Sequence, residues 1–256
     1  MTESRSPNSA RPERAFLDAN VIYGQQTTDI LLSLANRDVF EPRWTQRVIE
    51  EMRRNISPDL APTGIDRRIR TMNQAFPAAM TSAPPQELQD QMHADPKDRH
   101  VLAAAVQSDS DVLVTDNLGD FDPPSSGLHS MRVEGLNQFL IRKLEQDQDR
   151  VMAGLQDMLR RYKRDPRTMS ALINTMVEGQ QLRDFAHKLN AVVPPSQRGT
   201  SGTLLANQPC SAQYAALEGV ARPDAARTPT TSPDARSTTE QKLRKARGAE
   251  PDGRLS

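Results

Sequence analysis

Two short apolar runs, each ending directly on an acidic turn, constrain this chain more than any other feature. Ala15-Phe16-Leu17 stops at Asp18, and Val112-Leu113-Val114 stops at Thr115-Asp116. Unbroken apolar runs of this length, without polar alternation, read as strands buried on both faces. Such strands belong to parallel sheets covered by helices. In open α/β sheets the reactive site lies beyond the carboxyl ends of the strands. An acid at each strand exit therefore brings two carboxylates to the same end of one sheet.

Helical segments lie between and after these runs. The first apolar run resumes at Val21-Ile22, which reads as the exit of the strand. Residues 29–37 carry Ile30, Leu31, Leu34 and Ala35 at helical spacing. Trp44-Thr45 precedes a second helix, with Thr45 as N-cap and Val48, Ile49 and Met52 as the apolar stripe. A third helix is expected over residues 63–76, ended by Pro77. Asp95-Pro96 predicts a helix opened by an acidic cap and a proline at its first position. There Asp98, Val101, Leu102 and Ala105 share one face, so Asp98 lies at the edge of the buried stripe. A short strand is expected near 130–133, with a helix over 135–144.

The remainder divides by composition. Residues 1–12 are a polar lead-in, and 13–145 form the α/β domain. Helical patterns over about 147–163, 167–178 and 180–190 make 146–190 a helical C-terminal extension, too small for a large core of its own. From 191 to 256 the chain holds seven of its nineteen prolines, with Ser, Thr and Ala in excess. That tail cannot bury enough surface to offset its ordering entropy and is expected to be disordered. Its basic cluster is Lys242, Arg244, Lys245 and Arg247.

Charge and cysteine content narrow the function classes. The 33 basic and 33 acidic residues give zero formal charge, so any nucleic-acid contact must come from local patches. The single cysteine, Cys210, allows neither an intramolecular disulfide nor a cysteine-based zinc site. The polar N-terminus lacks the apolar core of a signal peptide, and no apolar run approaches a membrane span. The expectation is a soluble, cytoplasmic protein without a membrane partner.

Four acidic motifs carry the chemistry. They are Phe16-Leu17-Asp18-Ala19-Asn20, Val48-Ile49-Glu50-Glu51-Met52, Asp95-Pro96-Lys97-Asp98-Arg99-His100 and Val114-Thr115-Asp116-Asn117-Leu118-Gly119-Asp120-Phe121. Taken singly, Asp18 and Asp116 could be turn residues, Asp98 a cap, and Glu50 and Glu51 a solvated helix face. Gathered in one pocket, with no nucleophilic Ser or Cys beside them, they suit a hard divalent cation and a phosphate ester. Two carboxylates about 4 Å apart repel by roughly 4 kcal/mol at an effective dielectric near 20. Without a cation such a site is strained.

In this order the motifs resemble the PIN-domain nucleases, most closely the VapC-type toxins of bacterial toxin–antitoxin pairs. The stretches Asp98–Ala105 and Val114–Phe121 are the most specific parts of the likeness, which covers roughly 15–144. Residues 147–190 resemble, more weakly, the helical extension of one VapC-like branch. The resemblance implies a three-layer α/β/α fold with a central parallel sheet, Mg²⁺ or Mn²⁺ as cofactor, and endonucleolytic cleavage of RNA. It also implies a cognate antitoxin and pairing into homodimers. Asp18, Glu51 and Asp98 are the implied metal-binding carboxylates, with Asp116 as the fourth acid. Asn117 or Asp120 could take that fourth position, Glu50 could replace Glu51, and Thr115 could support a carboxylate or an attacking water. Arg43, Arg53 and Arg54 could steer phosphates, and His100 reads as a structural histidine.

Two other functions compete. A haloacid-dehalogenase-like phosphatase would use Asp18 as nucleophile. It wants a second acid two residues later, where this chain has Asn20. A PIN fold that binds RNA or protein without cutting is the other alternative.

Overall fold

The computed structural model describes residues 11–55, 62–123, 130–179 and 181–200. The lead-in before 11 and the tail from 201 onward, including its basic cluster, lie outside the described residues. In chain order the elements begin with β1 (Arg14–Leu17), α1 (Ala19–Ile22), α2 (Gln25–Ala35), β2 (Glu41–Thr45), α3 (Gln46–Asn55) and α4 (Pro62–Ala75). They continue with β3 (Met80–Thr81), α5 (Gln86–Asp90), β4 (His93–Ala94), α6 (Arg99–Gln107), β5 (Val112–Val114), β6 (Phe121–Asp122) and β7 (Arg132–Glu134). Four helices close the described chain: α7 (Leu136–Gln146), α8 (Gln148–Arg161), α9 (Met169–Glu178) and α10 (Arg183–Val192).

The main sheet has five strands in the order β3-β2-β1-β5-β7, and every pairing in it is parallel. Helices flank it, which gives the expected three-layer α/β/α architecture. β1 and β5 lie at its centre, paired Ala15–Val112, Phe16–Leu113 and Leu17–Val114. Apart from Arg14, every residue of these two strands is buried, which explains why they read as unbroken apolar runs. This register brings the ends of β1 and β5 level, so Asp18 and Thr115 leave the sheet side by side. The Asp18 amide still donates to the Val114 carbonyl at 3.1 Å.

A second, two-stranded antiparallel ribbon pairs β4 with β6, His93 opposite Asp122 and Ala94 opposite Phe121. One step further the Asp95 amide donates to the Asp120 carbonyl at 2.9 Å. The ribbon therefore ties the loop that carries Asp98 to the loop that carries Asp120.

The helices after the sheet pack on the domain rather than on one another alone. α8 lies along α2, and α10 packs on both α7 and α9. The α2–α8 approach is close at Gly154, where a Cβ would stand 3.0 Å from both the Ser33 carbonyl oxygen and the Leu34 side chain. Ile30, Leu31 and Leu34 of α2 are fully buried, as are Val151 and Leu155 of α8. α10 runs to Val192 and is followed by a 3₁₀ turn at Pro195–Gln197, so ordered structure extends past residue 190.

Two local expectations are corrected. Val21 and Ile22 are not strand but part of the helical turn α1, because Asp18 caps its first amide. The helix expected from Asp95 starts at Arg99 instead. The Asp95 carbonyl accepts from the Asp98 and Arg99 amides, and its carboxylate accepts from the Lys97 amide at 3.1 Å. Those bonds make an Asx-type turn, for which Asp-Pro is equally suited.

Candidate active site

Asp18 stands at the centre of the site. Its backbone is extended (φ −73°, ψ 158°), which lets the side chain fold over the start of α1. Oδ1 accepts from the Ala19 amide at 2.6 Å and Oδ2 from the Thr115 hydroxyl at 2.7 Å. The residue is 7% exposed. Burial pushes its pKa above the ordinary aspartate value, the two hydrogen bonds oppose that shift, and the charges of Asp98 and Glu51 add to it. Two of the acids singled out in the sequence, Asp98 and Glu51, thus act on a third, Asp18.

Thr115, fully buried, is the hub that holds the strand ends together. Its hydroxyl donates to Asp18 and accepts from Asn20 Nδ2 at 2.9 Å and from the Asn117 amide at 3.1 Å. Asn20 in turn accepts from the Asp116 amide through Oδ1, at 3.2 Å. The loop after β5 is therefore laced to α1 by two polar side chains. Sequence reasoning missed Asn20 as a site residue; its spacing two after Asp18, on the same short motif, was the available signal.

Asp98 occupies the cap position of α6, where its carbonyl accepts from the Val101 amide at 2.9 Å, but its side chain makes no cap bond to that helix. Its Oδ2 is buried and has no hydrogen-bond partner among the described residues. Lys97 Nζ lies 3.8 Å from that oxygen and 3.9 Å from Asp120 Oδ2. Burial raises the Asp98 pKa; Lys97 lowers it, while Asp120 and Asp95 raise it further.

Glu51 on α3 is half-buried, whereas Glu50 is exposed and takes only a Gln46 amide bond. Burial acts to raise the Glu51 pKa, but His100, Arg47 and their charges together hold it below the ordinary glutamate value. His100 Nε2, deeply buried, lies 3.1 Å from Glu51 Oε1, close enough for an ion pair but not aligned as a hydrogen bond. Arg54 Nη2 stands 3.8 Å from the same oxygen.

The fourth acid divides between two residues. Asp116 is exposed and its Oδ1 accepts from the Leu136 amide at the start of α7, at 3.2 Å. Gln181 Nε2 approaches its other oxygen at 3.5 Å. Asp120, not Asp116, is the acid that presses on Asp98. Asn117 contributes its backbone amide to Thr115 rather than an acidic group. Of the arginines considered for phosphate steering, Arg43 is bound to Glu41 and the Pro42 carbonyl, and Arg53 is paired with Asp66.

These donors fit a hard divalent cation in kind. They are carboxylate oxygens, two of them on acids whose ionisation the protein opposes, and one is buried without a partner. In the arrangement shown, no three His, Cys, Asp or Glu side chains among the described residues are grouped to hold an ion. Asp18 and Asp98 are the residues best disposed to take one, with Glu51 engaged by His100 and Arg47.

Residues 14–119 match a family model described as PIN domain. A curated relative from Mycobacterium tuberculosis (strain ATCC 25618 / H37Rv), named "Putative ribonuclease VapC50", is 33% identical over 111 residues. That match takes in 43% of this chain and 63% of the relative, so the chain spans somewhat less than two thirds of its length. No solved structure matches.

Proposed function

We propose that residues 14–119, which match the PIN-domain model, form a PIN domain of the VapC type, and that the protein is a metal-dependent endoribonuclease, the toxin of a toxin–antitoxin pair. The observation that carries the reading is the Asp18–Asp98 pair. Both carboxyls are held where ionisation is unfavourable, and one Asp98 oxygen is buried without a hydrogen-bond donor. A structural carboxylate in that position would cost free energy with no return.

Asp18, Asp98 and Glu51 would hold Mg²⁺ or Mn²⁺, with Asp120 or Asp116 completing the acidic rim. When bound, the cation supplies an activated water for in-line attack on phosphorus and stabilises the departing 3′ oxygen. The chain's own part is orientation. Thr115 and the Ala19 amide hold both oxygens of Asp18 and so select its rotamer. Asn20 and Asn117 lock Thr115 in turn. His100 holds Glu51 from behind. The relative's name supports an RNA substrate, and the family likeness alone suggests an antitoxin that would cover the acidic groove and a homodimeric assembly. Among the described residues no helix is long and apolar enough to cross a membrane.

A non-cutting PIN module is favoured by one observation, the lack of a ready-made three-acid cluster among the described residues. One assay separates the two. Purified protein is given total cellular RNA with Mg²⁺, Mn²⁺ or EDTA, beside Asp18→Asn and Asp98→Asn preparations. Cleavage that needs metal and vanishes in both variants is expected. Equal cleavage by all three proteins would identify a contaminant. No cleavage, together with metal-independent stability, would select the binding module.

A further inference from the structure

The chain as a whole is neutral, yet one eight-residue stretch is not. Arg160, Arg161, Lys163, Arg164 and Arg167 crowd the turn from α8 to α9, against a single acid, Asp165. Arg160 is paired with Asp157. Lys163, Arg164 and Arg167 are exposed and make no ion pair among the described residues. The turn is nevertheless held in place. Arg161 Nη2 donates to Ser33 Oγ at 2.8 Å, and the Tyr162 hydroxyl donates to Asp29 Oδ2 at 2.7 Å. Both partners lie on α2, so the cations are presented from a docked loop.

Between this loop and the start of α2 runs a groove of about 480 Å³, lined by Gln25, Gln26, Arg161, Tyr162, Lys163 and Arg164. α2 begins at Gln25, and Gly24 before it offers no side-chain cap. The unopposed amide end of an eleven-residue helix therefore adds partial positive charge to the groove. The groove also lies close to the acidic centre along the chain. Only α1, Tyr23 and Gly24 separate Gln25 from Asp18, on the order of 10 Å at ~1.5 Å per residue. Gln181 spans the same gap, near Gly24 on one side and near Asp116 on the other. Tyr23, 43% exposed, lies on that path.

We propose that this groove is where the substrate strand runs on leaving the acidic centre: Lys163 and Arg164 grip backbone phosphates of single-stranded RNA while Tyr23 offers a ring to a base. The inference rests on the ribonuclease reading for the nature of the strand. Charge complementarity and an exposed aromatic between the two charged regions favour a single strand, whose bases are free to stack, over a duplex. It gives the helical extension a purpose. α8 and α9 carry no acid of the catalytic set, but they deliver the cations that an acidic pocket cannot provide for its own polyanionic substrate.

The test is binding of a short, unstructured, fluorescein-labelled RNA to the full chain in EDTA, over a range of salt. Lys163→Ala/Arg164→Ala is compared with wild type and with a tail control, Lys242→Ala/Arg244→Ala/Lys245→Ala/Arg247→Ala. Both groove side chains are exposed, and a thermal melt checks that the fold is retained. The expected result is roughly tenfold weaker binding at low salt, with the slope of log K against log salt flattened by about 1.4 for two lost single-strand phosphates. Lys163→Glu/Arg164→Glu should bind more weakly still. Unchanged affinity and slope in the groove variant, or loss only in the tail control, overturns the proposal. Metal-dependent cleavage is scored separately. Cleavage with unchanged groove-variant binding removes the groove and keeps the nuclease, whereas groove-dependent binding without cleavage keeps the groove and removes the nuclease.

Discussion

Two buried groups of acids in this protein have opposite surroundings. Around α7, Glu134 takes three bonds from Arg142, Nε reaching both carboxylate oxygens at 3.0 Å and Nη2 one of them at 2.8 Å, and Arg132 Nε lies 3.2 Å away. Glu13 is paired with Lys143, Arg132 and Arg142 Nη1, the last at 3.0 Å. Burial works against the Glu13 carboxylate, but the Lys143 and Arg142 partners outweigh it and hold its pKa below the ordinary value. Lys143 itself loses more to burial than its acids return, so the pair is anchored from the carboxylate side. Around Asp18 the arrangement is reversed. Among the described residues Lys97 is the one cation paired with Asp98 and Asp120, and Asp18 has hydrogen bonds but no ion pair. Where this fold needs interior charge for its own sake, it surrounds acid with base. The acids left short of counter-charge are those a bound cation would satisfy.

The largest effect that could break this contrast is on catalysis. Asp98→Asn is expected to lower RNA cleavage by at least about 100-fold, a barrier increase of about 2.7 kcal/mol or more. The metal-free variant should melt at the same temperature as wild type or higher. The Asp98 side chain makes no cap bond to α6, and losing its charge relieves the repulsion from Asp18, Asp95 and Asp120. A drop of several degrees in the metal-free melt would return Asp98 to a structural role and remove the contrast.

The paired cluster should behave in the opposite sense. Glu134→Gln is expected to leave the proposed acids of the site untouched and to destabilise the fold by about 1–3 kcal/mol, because it leaves half-buried Arg142 with Glu13 as its one remaining acid among the described residues. Urea unfolding measures it; a change under about 0.5 kcal/mol would mean that the cluster is not structural.

The strongly patterned parts of this contrast were legible in the sequence, and the weakly patterned parts were not. β1 and β5 announced themselves because both faces are buried. β2 did not, since Glu41 and Arg43 alternate with Pro42, and proline argues against a strand. β3 reaches only Trp44 and Thr45, so the first half of β2 is an edge, where proline is tolerated. Asp18, Glu51 and Asp98 were legible as candidates, and the charges of Asp98 and Glu51 both act on Asp18. The fourth acid was ambiguous because three candidates fall within five residues. Only the β4–β6 ribbon, two residues a strand and invisible to periodicity, brings Asp120 rather than Asp116 against Asp98. The basic turn at 160–167 also went unread, since cations at the end of a helix suit its dipole and raise no question.

Acidity sharpens the comparison at a smaller scale. Glu13 has a folded pKa below its ordinary 4.5, so its contribution to stability is present above about that pH. It is lost as pH falls below 4.5 and through the lower folded value. Glu13→Gln should therefore trail wild type in urea midpoint near neutral pH, and the gap should close below about pH 4.5. A gap that stays constant down to pH 3 would show that Glu13 acts by packing or as a neutral partner.

The smallest expected effect concerns the hub between the strand ends. Thr115→Val keeps the shape of the side chain and removes one hydroxyl that donates to Asp18 and accepts from Asn20 and Asn117. Asp18 keeps only the Ala19 amide, so its rotamer is selected less firmly and its ionised form is still less favoured. Cleavage should fall by about tenfold, or about 1.4 kcal/mol in the barrier. Thr115→Ser, which restores the donor, should recover most of that loss. A merely structural role for Thr115 would show the reverse pattern, because Ser leaves a methyl-sized void in a fully buried site while Val fills it. Because Val also leaves the Asn20 and Asn117 donors without their acceptor, the metal-free urea midpoint is read beside cleavage. Cleavage lost beyond what the midpoint explains assigns the hydroxyl to the site, and a loss that only follows the midpoint assigns it to the fold.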